Sequence, residues 1–165
     1  MVSSKIEREI RRLELEKENK LIRDKLEKLT ITDTLTNLYN RRYFGKVCSD
    51  IFAQVNRNSI KATLAYIDID NFKYINDNFG HEGGDEVLKI FSEILLEQLR
   101  KGLDYIFRLG GEEFCIISIH TTLDYSAEYL KRLMNITSER FKFTKYGEVT
   151  LSIGIVEFDK DINSY

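Results

Sequence analysis

Four acids in two short stretches are the side chains best suited to chemistry. Asp68 and Asp70 close a mostly apolar run, Lys61 to Ile67, and Glu112 and Glu113 follow the pair Gly110-Gly111. Neighbouring carboxylates in a tight turn repel one another, and a turn does not need them. An acid closing a buried strand is costly unless something balances its charge. Hard oxygen donors from two separate strand ends suit magnesium, which keeps several waters and shares its other positions with phosphates. The plainer readings are a solvated turn with two surface acids, and an N-cap by Asp70 or Asn71 for the helix that follows. If Asp70 caps that helix, Asp68 is the better ligand.

The elements needed to position these acids can be read around them. Apolar runs on both sides of Gly110-Gly111 (Leu103 to Leu109, Phe114 to Ile119) predict a β-hairpin, because glycine reaches positive φ without a Cβ penalty. The run ending at Ile67 predicts a buried strand. A helix is expected over 42–56, with Phe44, Val47, Ile51, Phe52 and Val55 on its apolar side. A short one spans 72–79, ended by Gly80 as a C′ residue. A third covers 85–100, where Val87, Leu88, Phe91, Ile94, Leu95 and Leu99 recur at helical spacing. A helix over 124–138 and strands at 141–143 and 149–157 complete the set, and residues 33–41 read as a turn. One strand, two helices, a hairpin, a helix and closing strands predict an α+β fold. Its core is a mostly antiparallel sheet with helices packed on it.

The amino-terminal stretch has a different texture. Ser4 and Glu7 form a capping box, and a charged helix is expected from there to Leu29. Ile6, Ile10 and Leu13 make a short stripe. Leu15, Asn19, Ile22, Leu26 and Leu29 make a longer one at steps of four and three, a coiled-coil seam with one polar core position. A solvated single helix is the other reading; the seam favours a weak parallel homodimer. Domain boundaries are therefore expected as a helix over 1–30 and a folded domain over 31–165.

Global properties narrow the function classes. The net charge of −2 exerts no general pull toward nucleic acid. No apolar run approaches a membrane span, and no signal-peptide core opens the chain. The two cysteines, Cys48 and Cys115, lack metal-binding spacing and read as free core thiols of a cytoplasmic protein.

Four stretches together, DTLTNLYNR at 33–41, DIDNFKYINDNFGHEGGD at 68–85, GGEEF at 110–114 and TLSIG at 150–154, resemble the GGDEF family of diguanylate cyclases in its GGEEF form. The resemblance implies an elaborated ferredoxin-like sheet akin to polymerase palms. It also implies condensation of two GTP molecules into cyclic di-GMP, with release of two pyrophosphates, between two facing subunits. In such a protein the leading helix links an upstream sensor to the catalytic domain.

Carried over position by position, the metal ligands are Asp68, the carbonyl of Ile69, and Glu112, holding magnesium or, alternatively, manganese. Glu112 is also a candidate for deprotonating the 3′-hydroxyl, and Glu113 stands behind it. Asn71, Phe72 and Lys73 are expected to hold phosphate, through backbone N–H groups at a helix start and a lysine point charge. Asn76 and Asp85 match the guanine readers, against plainer readings as a mid-helix polar residue and an N-cap. His81 reads as a turn histidine.

The match departs from the family in two places. Where the family carries an Arg-x-x-Asp product-inhibition site, this chain has Lys101 to Asp104, with Arg100 one place out of register and Arg132 as a secondary arginine. Lysine lacks the planar fork of arginine, so weak or absent product binding is expected. The family also continues into a helix bearing a lysine and an arginine that reach the triphosphate. The sequence stops at Tyr165, and the domain is expected to lack that helix. The alternative to a cyclase is a catalytically silent module of the same type that binds GTP or partners as a regulator. A plain dimerisation module would leave Asp68, Lys73, Asn76, Asp85 and Glu112 without a role.

Overall fold

A computed structural model describes residues 2–57 and 60–159, with side chains omitted at 2–7, 21, 23–25 and 27–30. The chain divides into two units, Met1–Thr32 and Asp33–Tyr165. The first is a single helix, α1 (Val2–Ile31). It extends past Ser4, which is therefore not its boundary; the side chains of Ser4, Ile6, Glu7 and Leu29 lie outside the described residues. Ile10, Leu13, Leu15, Ile22 and Leu26 are all exposed. Arg12 pairs with Glu9 and Glu16 one turn away on either side.

The second unit is a five-stranded open sheet in the order β1-β3-β4-β2-β5. Its elements are β1 (Tyr39–Asn40), α2 (Arg41–Asn56), β2 (Ala62–Ile69), α3 (Phe72–Gln98), β3 (Asp104–Gly110), β4 (Glu113–Ile119), α4 (Leu123–Lys142) and β5 (Leu151–Glu157). All neighbours pair antiparallel except β1 with β3. β1 lies inside the stretch expected to be only a turn. Its two residues gain strand geometry by pairing with Phe107 and Arg108 before Asn40 caps α2, accepting from the Tyr43 amide at 3.0 Å.

Alternation along the strands divides the core in two. Ala65, Ile67, Ile69, Ile106, Phe114 and Ile116 pack on one face against α3 and α4. Phe91 and Phe114 meet edge to face there, with centroids 4.9 Å apart. Ala62, Phe107, Cys115 and Ile117 pack on the other face against Val47, Ile51 and Val55 of α2. A fully buried side chain of this size stabilises by about 1.5–3 kcal/mol, so the central strands β2 and β4 anchor whatever their ends carry. Both cysteines are free, Cys115 buried and Cys48 half-buried.

Three expectations about elements need correction. The segment 141–143 is not a strand: Phe141 is the buried last turn of α4, and Phe143 is its C-cap. The closing strand starts at Leu151 instead of Val149. The third helix does not begin at Asp85. Gly80 breaks the path with φ 72° and ψ 173°, but helix resumes at once, so α3 is two segments across a kink. Gly83 and Gly84 look like breakers in the sequence, yet they sit buried inside the second segment. A helical glycine is disfavoured by about 1 kcal/mol against alanine, but here close packing requires it. A Cβ on Gly83 would lie 2.5 Å from Phe79 Cβ, and one on Gly84 would lie 2.1 Å from Asn76 Oδ1.

Candidate functional site

The two acidic stretches meet at one rim of the sheet. Asp68 is the penultimate residue of β2, and Glu112 lies in the turn that joins β3 to β4. The Ile69 amide donates to the Glu112 carbonyl at 3.4 Å, tying the strand end to the hairpin tip. Asp68 feels its neighbours: burial, then the charges of Glu112, Glu113 and Asp70, hold its carboxyl above its ordinary value. No cation among the described residues relieves this, and neither Asp68 nor Glu112 makes a side-chain hydrogen bond or ion pair there.

The other two acids are occupied. Asp70 does not cap α3; it accepts from Thr150 Oγ1 and Ser152 Oγ of the β5 region, each at 2.6 Å. Asn71 stands at the N-cap position in the left-handed region (φ 56°) and makes no side-chain cap bond. Asparagine tolerates that conformation better than most residues. Glu113 accepts from the Tyr66 hydroxyl. That bond, with some burial and the neighbouring charges, pushes the Tyr66 hydroxyl up to about 12.

The fit to a divalent cation can be judged from this donor set. Among the described residues no three acidic, thiol or imidazole side chains converge into a cage. Magnesium does not need one, since one or two carboxylates plus waters and substrate phosphates complete its shell. Asp68 and Glu112, with the adjacent Ile69 carbonyl, therefore fit such an ion.

Phe72 and Lys73 open α3, where first-turn N–H groups have no partner within the helix. Phe72 is buried as an anchor, while Lys73 is exposed and makes no ion pair among the described residues. Asn76 lies in the first segment of α3, half-buried over Gly84. Asp85 is exposed in the second segment, inside the helix, so it is not the N-cap that its position after Gly-Gly suggested. Across the kink, Asn76 lies against Gly84, the residue before Asp85. Glu86 locks the kink from outside, accepting from Tyr146 Oη at 2.5 Å and Lys145 Nζ at 2.9 Å, and Tyr146 packs edge to face on Phe79 at 5.0 Å. His81 is exposed immediately after the kink.

Arg108 and Asp33 were not singled out as a pair. Arg108 Nη1 donates to Asp33 Oδ1 at 3.0 Å, and Nε and Nη2 donate to the Gly111 carbonyl at 3.1 and 3.0 Å. One guanidinium therefore holds the turn that carries Glu112. Thr36 completes the Asp33 shell through its amide and hydroxyl at 2.9 and 2.7 Å. The Asp–x–x–Thr spacing was the available signal for the turn; its pairing with Arg108, 75 positions away, was not. Burial alone would raise the Asp33 carboxyl, but the Thr36 and Arg108 hydrogen bonds and the arginine charge outweigh it and leave it lowered. A lowered carboxyl adds stability above its unfolded value and loses it as pH falls through the folded value. Acid unfolding of the wild type should therefore steepen at the bottom of the carboxylate range. Asp33→Asn should flatten that part of a pH–melting series, and an unchanged slope would remove Asp33 from the account.

The stretch read as an inhibitory set is rearranged. Lys101 is exposed in the turn after α3, and among the described residues it makes no ion pair with Asp104. Arg100 does, through Nη2–Oδ1 at 2.8 Å, Nε–Oδ2 at 3.2 Å and its own amide to Oδ2 at 2.8 Å. Displacement by one residue does not matter in a loop whose chain reverses between the two partners. Arg132 of α4 lies across the same cleft, its Cζ 5.8 Å from the Tyr129 ring centre. The Tyr129 hydroxyl is buried without a hydrogen-bond partner among the described residues.

Comparison with known proteins gives the following. The family profile described as "Diguanylate cyclase, GGDEF domain" matches residues 30–165. The diguanylate cyclase DgcS of Shewanella oneidensis is 34% identical over 125 residues, covering 76% of this chain and 41% of its own. The diguanylate cyclase DgcP of Pseudomonas aeruginosa is 41% identical over 133 residues, 78% of this chain and 19% of its own. The chain thus spans less than half the length of either relative. Among solved structures, the coiled coil and GGDEF domain of DgcB from Caulobacter crescentus, determined with c-di-GMP, superposes with a TM-score of 0.78 at 28% identity, covering 92% of this chain and 83% of that one. The diguanylate cyclase SiaD of P. aeruginosa, determined with its activator SiaC, gives a TM-score of 0.72 at 29% identity, over 94% of this chain and 64% of that one.

Proposed function

The chain belongs to the diguanylate cyclase GGDEF family, and from that premise we propose that it condenses two GTP molecules into cyclic di-GMP. Each half-reaction is attack by the 3′-hydroxyl of one GTP on the α-phosphorus of the other, expelling pyrophosphate. The observation that carries this reading is the rim where the charge of Glu112 bears on Asp68 while Asp70 is already bonded to Thr150 and Ser152. A cation shared by the two carboxylates would relieve that repulsion.

In this reading Asp68, the Ile69 carbonyl and Glu112 hold magnesium, for which manganese can substitute. Bound there, the ion supplies charge neutralisation at the transferring phosphate. Asn71, Phe72 and Lys73 receive phosphate oxygens at the start of α3, and Lys73 adds a mobile positive charge. Asn76 and Asp85, one on each side of the Gly80 kink, read the guanine edge; a carboxylate accepts from the N1–H and N2–H of guanine. Glu112 is the candidate to take the 3′-hydroxyl proton, and Arg108 keeps its turn in place. Asp104 is already engaged by Arg100, so a product competing for it would have to displace a bidentate ion pair. That supports weak feedback at the cleft.

One GTP per chain cannot close the ring, so the reaction requires two chains facing each other. The exposed apolar positions of α1 give a seam for a homodimer, with the helix domain over 1–30 setting how two catalytic domains over 31–165 approach. Among the described residues no helix is long and apolar enough to cross a membrane, and a cytoplasmic setting, where GTP is available, suits the proposal.

The test is incubation of the chain with GTP and magnesium across a range of protein concentrations, reading cyclic di-GMP and pyrophosphate. Product whose specific rate rises with concentration supports a dimeric cyclase. Magnesium-dependent GTP binding without product would instead select the silent regulatory module. Neither product nor binding would overturn the nucleotide reading.

A further inference from the structure

The bend in α3 lies at Gly80, with φ 72° and ψ 173°. Glycine allows many backbone angles at little steric cost, so it permits a bend without fixing its angle. Packing of Gly83 against Phe79 limits how far the two segments close; it does not oppose their opening. Tyr146 is placed to do that. It stands in the turn after α4, where its amide donates to Thr144 Oγ1 at 3.2 Å and that hydroxyl donates to the Phe141 carbonyl at 2.8 Å. The turn is thereby fastened to the buried end of α4, and Tyr146 itself is buried.

Tyr146 touches both segments of α3. Its ring lies edge to face on Phe79 in the first, with centroids 5.0 Å apart. In the second, its Cε1 would stand 3.4 Å from a Cβ built on Gly83, and its hydroxyl donates to Glu86 Oε2 at 2.5 Å. Lys145 reaches the same oxygen at 2.9 Å, but both of those side chains are more than half exposed, and an ion pair so exposed contributes little. The tyrosine bond is charge-assisted and comes from a buried ring whose position is already set, so less freedom is lost in making it. Beside this clamp lie the residues assigned to the base. Asn76 is one turn before Phe79, and Asp85 directly precedes Glu86.

We propose that Tyr146 is a positioning residue for base recognition: through Phe79 and Glu86 it fixes the bend of α3 at Gly80, and with it the placement of Asn76 relative to Asp85. This rests on the cyclase reading, in which those two residues read guanine. A base is rigid, so contacts carried by two segments are made together only at one angle between them, and a small misplacement loses one of them. Tyr146→Phe keeps the ring on Phe79 and removes the tether. Glu86→Ala removes it from the other side, at an exposed position. Glu86→Gln keeps an oxygen that accepts from the hydroxyl.

The test is calorimetric binding of 3′-deoxy-GTP and 3′-deoxy-ATP to the full chain with magnesium; neither analogue carries the hydroxyl that reacts. The readout is the ratio of the two affinities, beside a thermal melt. Tyr146→Phe and Glu86→Ala are each expected to lower the preference for guanine about fivefold, the scale of one hydrogen bond, by weakening the guanine nucleotide alone. Combined, they should lower it no further than either does alone, within about twofold, and Glu86→Gln should stay within about twofold of the parent. A loss shared equally by both nucleotides, or an unchanged preference in either variant, overturns the proposal whatever the melt shows. An Asp85→Asn control separates the two levels: if the parent's preference for guanine is absent or does not depend on Asp85, the base-reading assignment fails, and this positioning role fails with it.

Discussion

Glu112→Ala is expected to reduce cyclic di-GMP formation by at least about 100-fold, the scale of losing one group that stabilises developing charge in a transition state. The fold should not suffer. Glu112 is half-buried at the tip of the β3–β4 hairpin, makes no side-chain hydrogen bond among the described residues, and contributes to the crowding that raises the Asp68 carboxyl. A carboxyl raised in the folded state favours folding when protonated, and that contribution is lost as pH rises through the folded value. At neutral pH the repulsion therefore opposes folding, and relieving it should leave the melting temperature equal or slightly higher. Loss of activity with retained or improved stability is the signature of a residue kept for function. It would be read as product by chromatography beside a thermal melt. Retained turnover would remove Glu112 from the metal pair; lost turnover with a collapsed melt would assign it to the turn.

The second large effect is expected at two adjacent glycines, with opposite readouts. Alanine at Gly83 would place its Cβ 2.5 Å from Phe79 Cβ, an atom fixed to the first segment of α3, so the backbone must move. Overpacking of that kind costs up to about 3 kcal/mol, against a gain of about 1 kcal/mol from helix propensity. The net expectation is a loss of about 2 kcal/mol in denaturant unfolding.

Alanine at Gly84 meets chiefly the far end of a side chain, Asn76 Oδ1 at 2.1 Å, which can rotate away, with Phe72 Cζ at 3.1 Å as a tighter limit. Stability should fall by less than for Gly83→Ala. GTP binding should weaken about tenfold, by roughly the discrimination that a well-placed base contact carries. If both variants lose stability equally with no specific GTP defect, Asn76 is a packing residue and does not read the base.

Glu112→Ala and the Asp33 pH series address different parts of the same rim. The first asks whether the hairpin acid reaches the ion, and the second asks what holds the hairpin that carries it. Arg108 joins these questions, since it grips Asp33 and the Gly111 carbonyl, one residue before Glu112.

Much of this protein was determined by its sequence alone. Alternating and continuous apolar runs specified β2, β3 and β4, because a strand that buries a face must repeat every second residue or be apolar throughout. Gly110-Gly111 specified the hairpin, and both residues adopt positive φ, 148° and 51°. The spacing of acids around that hairpin and at the end of β2 pointed to a cation before any contact was visible. Local signals failed where distant packing outweighed them. Phe141 to Phe143 has strand-like composition, yet burial of Phe141 carries α4 through it. The third helix was expected to start at Asp85, but helix resumes directly after Gly80 and runs through Gly83-Gly84, where Phe79 and Asn76 leave no room for a Cβ, so Asp85 lies within the helix and does not cap it.

Tertiary structure alone decided the partners. Asp70 turned to Thr150 and Ser152 of the neighbouring β5 region, Asp104 to Arg100 instead of Lys101, Asp33 to Arg108, and Glu113 to Tyr66. The reason is physical: a side chain's partner is set by which strands lie side by side and which residues share a face. Those relations arise from sheet order and register, which join positions far apart in the chain and leave no mark in local spacing.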